Sequence, residues 1–234
     1  MEPNTTPKQH ITKQSIEQET KARITRIDKE FADGFDIVNA DRKSVTFFGS
    51  ARFDENNQYY QKARELGARL AHEGYTIVTG GGGGIMEGGN RGAYEAGGKS
   101  IGLNITLPHE QTLNPYTTKS MPFHYFFTRK VLLAYGAEAY VYFPGGFGTL
   151  DELFEIITLI QTGKAPKAPV ILMGKEFWSG LETFITNTLL TAEHTISPED
   201  QAIYTITDSI DEAVELINAH YARDAAVSPL VVEA

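Results

Sequence analysis

Cysteine is absent from the 234 residues, which excludes disulfides, thiolate metal ligands and a cysteine nucleophile. No run approaches the roughly 18 apolar residues that a membrane-spanning helix needs. No apolar stretch near Met1 resembles a signal peptide. No membrane association is therefore expected, and the cytoplasm is the expected compartment. Positive charge is scarce: 21 Lys and Arg face 30 Asp and Glu, for a net charge of −9. That argues against wide nucleic-acid binding through a basic surface, although an acidic protein can still hold one nucleotide in a local pocket.

Several familiar signatures are missing too. The dinucleotide fingerprint fails at its last glycine: Gly146-x-Gly148 meets Asp151 there, and Gly80-x-Gly82 meets Ile85. No glycine-rich run ends in Gly-Lys-Ser/Thr, and no Gly-x-Ser-x-Gly elbow occurs. The histidines, at 10, 72, 109, 124, 194 and 220, lack metal-ligand spacing, so no metal is expected.

What is present is an apolar content of 41%, enough to fill a core, with no linker-like stretch in the middle. One domain is expected at 41–222, preceded by a disordered polar N-terminus at 1–14 and a helical extension at 15–40, and followed by a loose tail at 223–234. In the extension Ile24, Ile27, Phe31 and Phe35 recur at helical spacing, a face that packs on the body or on a second subunit. Apolar runs at 43–48, 75–78, 99–103, 139–143 and 169–173 read as strands, with an edge strand at 202–206. Helical patterns fall at 60–72, 128–135, 150–161, 177–190 and 209–220, and a glycine-weakened helix follows Gly84. Residues 104–122 read as a long polar loop with Pro108, Pro115 and Pro122, and 123–127 as a short aromatic strand or turn. Strands alternate with helices, which predicts an α/β fold: a Rossmann-like, doubly wound, mainly parallel sheet flanked by helices. Ligands of such sheets sit at the carboxyl ends of strands. Three loops fall there, at 49–52, 80–90 and 144–152.

The last of these, Pro144-Gly145-Gly146-Phe147-Gly148-Thr149-Leu150-Asp151-Glu152, joins a strand to a helix. Glycine in such a turn lets a ligand approach the main chain. The unpaired N–H groups and positive dipole end of the helix make an anion site, most naturally for phosphate. Glu152 has two readings. With Thr149 as N-cap it completes a capping box. Alternatively it performs chemistry beside the anion, which the glycines favour, because a plain cap needs none. Near a helix N-terminus it is expected to stay ionised. Arg129 and Lys130 fall in the first turn of their helix, where cations oppose the dipole, so an anionic ligand explains them better than helix stability does. Lys130 either binds phosphate or is solvated.

Gly80 to Gly84 open a second strand–glycine–helix unit. Gly88, Gly89 and Gly92 weaken its helix by roughly 1 kcal/mol each relative to Ala, which marks close packing or ligand approach. Glu87 and Asn90 bond a ribose or base, or are ordinary helix-end polar residues. His124 is expected to be structural, and Asp151 and Glu155 to be surface charges.

Pro144 to Glu152 resembles the PGGxGTxxE motif of the Lonely-guy family, cytokinin riboside 5′-monophosphate phosphoribohydrolases often labelled lysine decarboxylases. Phe127-Thr128-Arg129-Lys130 stands where that family carries its Arg-Lys pair, and Gly80 to Ala93 resembles its first glycine-rich loop in longer members. The resemblance implies hydrolysis of the N-glycosidic bond of an N6-substituted adenosine 5′-monophosphate, giving free base and ribose 5-phosphate. It implies Arg129 and Glu152 as catalytic residues. Ser50, Gly82, Gly83, Glu87, Asn90, Lys130, Gly145, Gly146, Gly148 and Thr149 are the implied substrate- and phosphate-binding set. It also implies a homodimer or larger homo-oligomer and no cofactor. A decarboxylase would need a pyridoxal phosphate lysine, and no residue marks one. The competing function is a non-catalytic nucleotide sensor or molybdenum-cofactor carrier of the same fold. The presence of both Arg129 and Glu152 favours the enzyme.

Overall fold

The computed structural model describes residues 13–40, 43–106, 112–135 and 137–227. Seven strands form one sheet: β1 (Ser44–Phe48), β2 (Thr76–Thr79), β3 (Ser100–Ile105), β4 (Lys119–Phe123), β5 (Ala139–Tyr142), β6 (Val170–Met173) and β7 (Tyr204–Thr207). Their order is β4-β3-β2-β1-β5-β6-β7, and every pairing is parallel. The inner strands are apolar runs because helices cover both faces. Successive residues serve opposite layers: Phe47 packs with α2 (Gln58–His72), α3 (Ile85–Glu95) and α7 (Ile210–Val227). Phe48 packs in the other core, with α1 (Lys13–Val38), α4 (Phe126–Tyr135), α5 (Phe147–Gln161) and α6 (Lys175–Phe184). The doubly wound parallel fold expected from the alternation is what forms.

Several boundaries differ from those expected. The supposed loop at 104–122 contains a seventh strand, β4, whose register sets Pro122 opposite Asn104. Only Met121 and Phe123 of β4 are buried, so its apolar signal is short, and proline is tolerated because β4 is the sheet edge. Of 123–127, read as a short aromatic strand or turn, Phe123 ends β4, a bend follows, and α4 begins at Phe126. The helix expected to end at 190 passes into π-helical turns at Ile185–Ala192. The expected loose tail is helical as far as Val227, in α7. Residues 1–12 and 228–234, with Pro108, His10 and His109, lie outside the described residues.

The helix glycines answer to packing. A Cβ on Gly92 would stand 1.9 Å from the Arg64 carbonyl oxygen, and one on Gly88 2.8 Å from that of Tyr60. Gly67 of α2 returns the contact, 2.5 Å from the oxygen of Gly89. α2 and α3 thus touch backbone to backbone, and no ligand is needed to explain the cost of those residues.

Candidate active site

Chain order reverses between β1 and β5, so their carboxyl ends open a crevice of the kind that holds ligands in α/β sheets. Three loops meet there, tied together through Ser50. Its N–H donates to the Pro144 carbonyl at 3.0 Å, and its own carbonyl accepts from the Ile85 N–H at 3.0 Å. The approach requires Gly84, whose φ is +65° and whose added Cβ would lie 2.1 Å from the Ser50 oxygen. Between the loops is a cavity of about 630 Å³. Gly49 to Arg52, Gly80 and Met86 form one side, and Phe126, Arg129 and Leu133 of α4 form another. Gly146 to Thr149, Asp151 and Glu152 of α5 close it.

α5 begins three residues earlier than its apolar pattern indicated. Gly146 is the N-cap with no side-chain bond, and the first helical bond runs from the Leu150 N–H to the Gly146 oxygen at 3.1 Å. The N–H groups of Phe147, Gly148 and Thr149 therefore have no partner within the helix and carry its positive end at the cavity. This corrects the capping-box reading: Thr149 is the third residue of the helix, and Glu152 lies in its second turn. Thr149 instead packs on Gly145, where a Cβ would stand 2.1 Å from its Oγ1. Gly145 is required for that contact.

Glu152 is 7% exposed, and its carboxyl has no hydrogen-bond or ion-pair partner among the described residues. Burial pushes its pKa up to about 7, opposed by the charges of Lys130 and Arg129 and assisted by Glu155 and Asp151. The expectation of a plainly ionised carboxylate is corrected, because burial outweighs the neighbouring cations. Arg129 mirrors this. Burial lowers its pKa while Glu152 raises it, and its Nε is buried without a hydrogen-bond partner. The guanidinium lies 5.8 Å from the centre of the Phe126 ring, and its Nη1 would stand 3.4 Å from a Cβ on Gly80. A cation with no ion pair among the described residues and an acid poised near neutrality thus share one cavity. Such displaced titration is a mark of functional sites.

Of the expected site residues, Ser50, Arg129, Gly146, Gly148, Thr149 and Glu152 line the cavity. The others lie elsewhere. Asn90 is fully buried and contacts Thr79 Oγ1 (2.6 Å), Ser100 Oγ (2.7 Å), the Ile101 oxygen (3.3 Å) and Asn114 Nδ2 (2.9 Å). Asn114 also donates to the Gly82 oxygen at 3.0 Å, so Asn90 and Gly82 belong to the support of the glycine loop; neither they nor Gly83 line the cavity. Glu87 accepts the Tyr60 hydroxyl at 2.9 Å. Lys130 sits 2.9 Å from both Asp151 and Glu155, outside the cavity. Burial would lower its pKa, but those two acids raise it on balance. Asp151 and Glu155, read as plain surface charges, are its partners.

The wall also includes Arg52, Met86 and Phe126, to which the sequence reading assigned no individual role. Arg52 was signalled by its place at the end of the first carboxyl-end loop. Met86 falls likewise within the 80–90 loop, whereas nothing local marks Phe126, which reaches the cavity from the start of α4. Among the described residues no lysine lines the cavity, and the raised pKa of Lys130 is the opposite of what a Schiff-base lysine needs. The site does not fit pyridoxal phosphate. Among the described residues no cluster of His, Cys, Asp and Glu is placed to hold a metal ion, and no helix is long and apolar enough to cross a membrane.

The family described as possible lysine decarboxylase matches residues 86–217. The cytokinin riboside 5′-monophosphate phosphoribohydrolase of Rhodococcoides fascians is 28% identical over 183 residues, covering 76% of this chain and 90% of that protein. The enzyme of the same description from Oryza sativa subsp. japonica is 32% identical over 147 residues, covering 62% and 60% respectively. Among solved structures, TM1055 aligns with a TM-score of 0.57 at 26% identity, over 76% of this chain and 99% of its own. The molybdenum cofactor carrier protein of Chlamydomonas reinhardtii aligns at 0.58 and 24% identity, over 76% and 98%, a likeness of fold alone.

Proposed function

The chain belongs to the Lonely-guy family, the one described as possible lysine decarboxylase, and from that premise we propose that it hydrolyses the N-glycosidic bond of an adenosine 5′-monophosphate, with or without an N6 substituent. The observation that carries the reading is the placing of Arg129 and Glu152 on one cavity at the bare N-terminus of α5. The 5′-phosphate would sit on the N–H groups of Phe147, Gly148 and Thr149. Phosphate binding positions the ribose and supplies energy remote from the reacting bond. Arg52 and Arg129 offset the phosphate charge, and Met86 and Phe126 give the base an apolar wall.

The C1′–N9 bond breaks with its electron pair leaving on the base, and the sugar becomes oxocarbenium-like, as in other glycoside hydrolyses. Ionised Glu152 stabilises that cation and takes a proton from the water whose oxygen adds to C1′. The base takes up a proton from solvent. A carboxyl with a pKa near 7 suits a general base, since it is ionised often enough to act and basic enough to accept. A carrier or sensor of this fold would need the backbone cradle alone, and the unpartnered acid favours turnover.

The test is incubation with AMP and with isopentenyl-AMP, followed by chromatography for free base and ribose 5-phosphate. Release of adenine or isopentenyladenine is expected. Stoichiometric binding without base release would overturn the reading in favour of a binding protein.

A further inference from the structure

The helical extension α1 precedes the matched family segment, yet it lies along α4, the helix that carries Arg129. Contacts follow the same order on both helices. The Arg23 guanidinium lies 5.4 Å from the centre of the Tyr125 ring. Gly34 approaches Leu132 so closely that a Cβ would stand 2.1 Å from its Cδ1. Phe35 meets Tyr135 edge-on at 4.8 Å. Between these contacts is Glu30, a buried carboxylate. Its Oε1 accepts the His124 N–H at 2.7 Å, and its Oε2 accepts the Thr128 hydroxyl at 2.5 Å.

Those partners flank the start of α4. The helix has no acid in its own first turn, while its dipole favours negative charge there. Glu30 brings that charge from another helix, bonded to the N–H of His124 just before α4 and to the side chain of Thr128 in its first turn. Thr128 directly precedes Arg129, and its Oγ1 lies within reach of both Glu30 Oε2 and the Tyr125 carbonyl (2.9 Å), so it links the turn from which the guanidinium projects to α1 and to the residue before the helix. A buried carboxylate is costly unless it is well bonded, and a surface residue could have fastened α1 at less cost.

We infer that Glu30 is a positioning residue: it ties the start of α4 to the extension and holds Arg129 toward the cavity. The consequence for turnover rests on the function proposed above, whereas the structural effect on Arg129 does not. A residue that merely fastened α1 would affect stability and leave Arg129 in place.

The test uses the full chain and the ¹⁵N–¹H signal of the Arg129 Nε, assigned by its loss in Arg129→Ala. In Glu30→Ala, and in the near-isosteric Thr128→Val should Glu30→Ala not fold, that signal is expected to shift and broaden. Phe35→Ala removes apolar packing between the same helices, and should lower Tm while leaving the signal sharp. In the kinetic arm, Glu30→Ala should lower kcat/KM for base release from AMP by about tenfold, the scale of a lost charged hydrogen bond. It should add no further loss of AMP affinity in an Arg129→Ala background. An unchanged Arg129 signal in both Glu30→Ala and Thr128→Val would overturn the inference, as would equal broadening in Phe35→Ala. If the wild type released no base, the proposed function would fall and the Arg129 signal would still decide the role of Glu30.

Discussion

Arg129 on α4 and Glu152 on α5 each supply the charge that opposes the other's desolvation. Burial lowers the arginine and Glu152 raises it; burial pushes the acid up to about 7, and Arg129 is among the charges that restrain it. They form no ion pair, and the cavity lies between their helices. An ion pair would satisfy both groups and leave them idle. Held apart, each keeps its capacity for a ligand.

That arrangement has a cost that varies with pH. Glu152 titrates near 7 in the folded chain against a reference value of 4.5, so folding favours its protonated form. The stability of the neutral acid is fully present below about pH 4.5 and is lost as pH rises through about 7. Glu152→Gln keeps the shape and removes the titration. It should be more stable than wild type at about pH 8, by at most roughly 3 kcal/mol. The advantage should vanish near pH 4. Urea unfolding at the two pH values measures this; equal stabilities at the higher pH would show that the carboxyl is not displaced.

Asn90 separates support from binding. Its amide joins Thr79, Ser100 and Asn114 in a buried network beneath the glycine loop. Asn90→Ala strands those partners, each unpaired polar group costing about 1–3 kcal/mol. A marked fall in Tm is expected. KM for AMP, measured well below the new Tm, should change less than it does for Arg129→Ala. A large rise in KM with an unaltered Tm would return Asn90 to the substrate.

We propose that the protein is a homodimer or a larger homo-oligomer. Beside the cavity Phe126, Phe127, Val131 and Tyr135 of α4 and Phe147 and Phe154 of α5 are exposed, with Phe147 at 92%. Large contiguous apolar surface is uncommon on a monomer. Light scattering at micromolar concentration should give at least twice the chain mass of 25.8 kDa, and Phe147→Asp together with Tyr135→Asp should shift it toward the monomer. A wild type that scatters as a monomer would refute this.

The alternation of apolar runs with helical periods made the parallel sheet legible, and the glycine clusters pointed to the loops that frame the cavity. β4 was hidden because an edge strand buries only every second residue and tolerates Pro122. The start of α5 was misplaced because its first turn, Phe147-Gly148-Thr149, is exposed or turned to the cavity and carries no apolar period. Residue type alone could not separate Asn90, which faces inward, from Arg129, which faces the cavity; that difference lies in helix rotation. Likewise Glu30 showed only as a charge in an amphipathic helix, since its partners lie more than 90 residues away.

The measurement closest to the central claim is the pH dependence of kcat/KM for base release from AMP, for wild type and Glu152→Gln, from about pH 5 to about pH 9. The wild-type profile should rise through a midpoint near the free-enzyme value of about 7. In Glu152→Gln the limb should disappear and kcat should fall by about 10²-fold or more, while AMP binding persists on the main-chain cradle of α5. A Glu152→Gln variant with near-normal kcat and an unaltered pH profile would contradict the account.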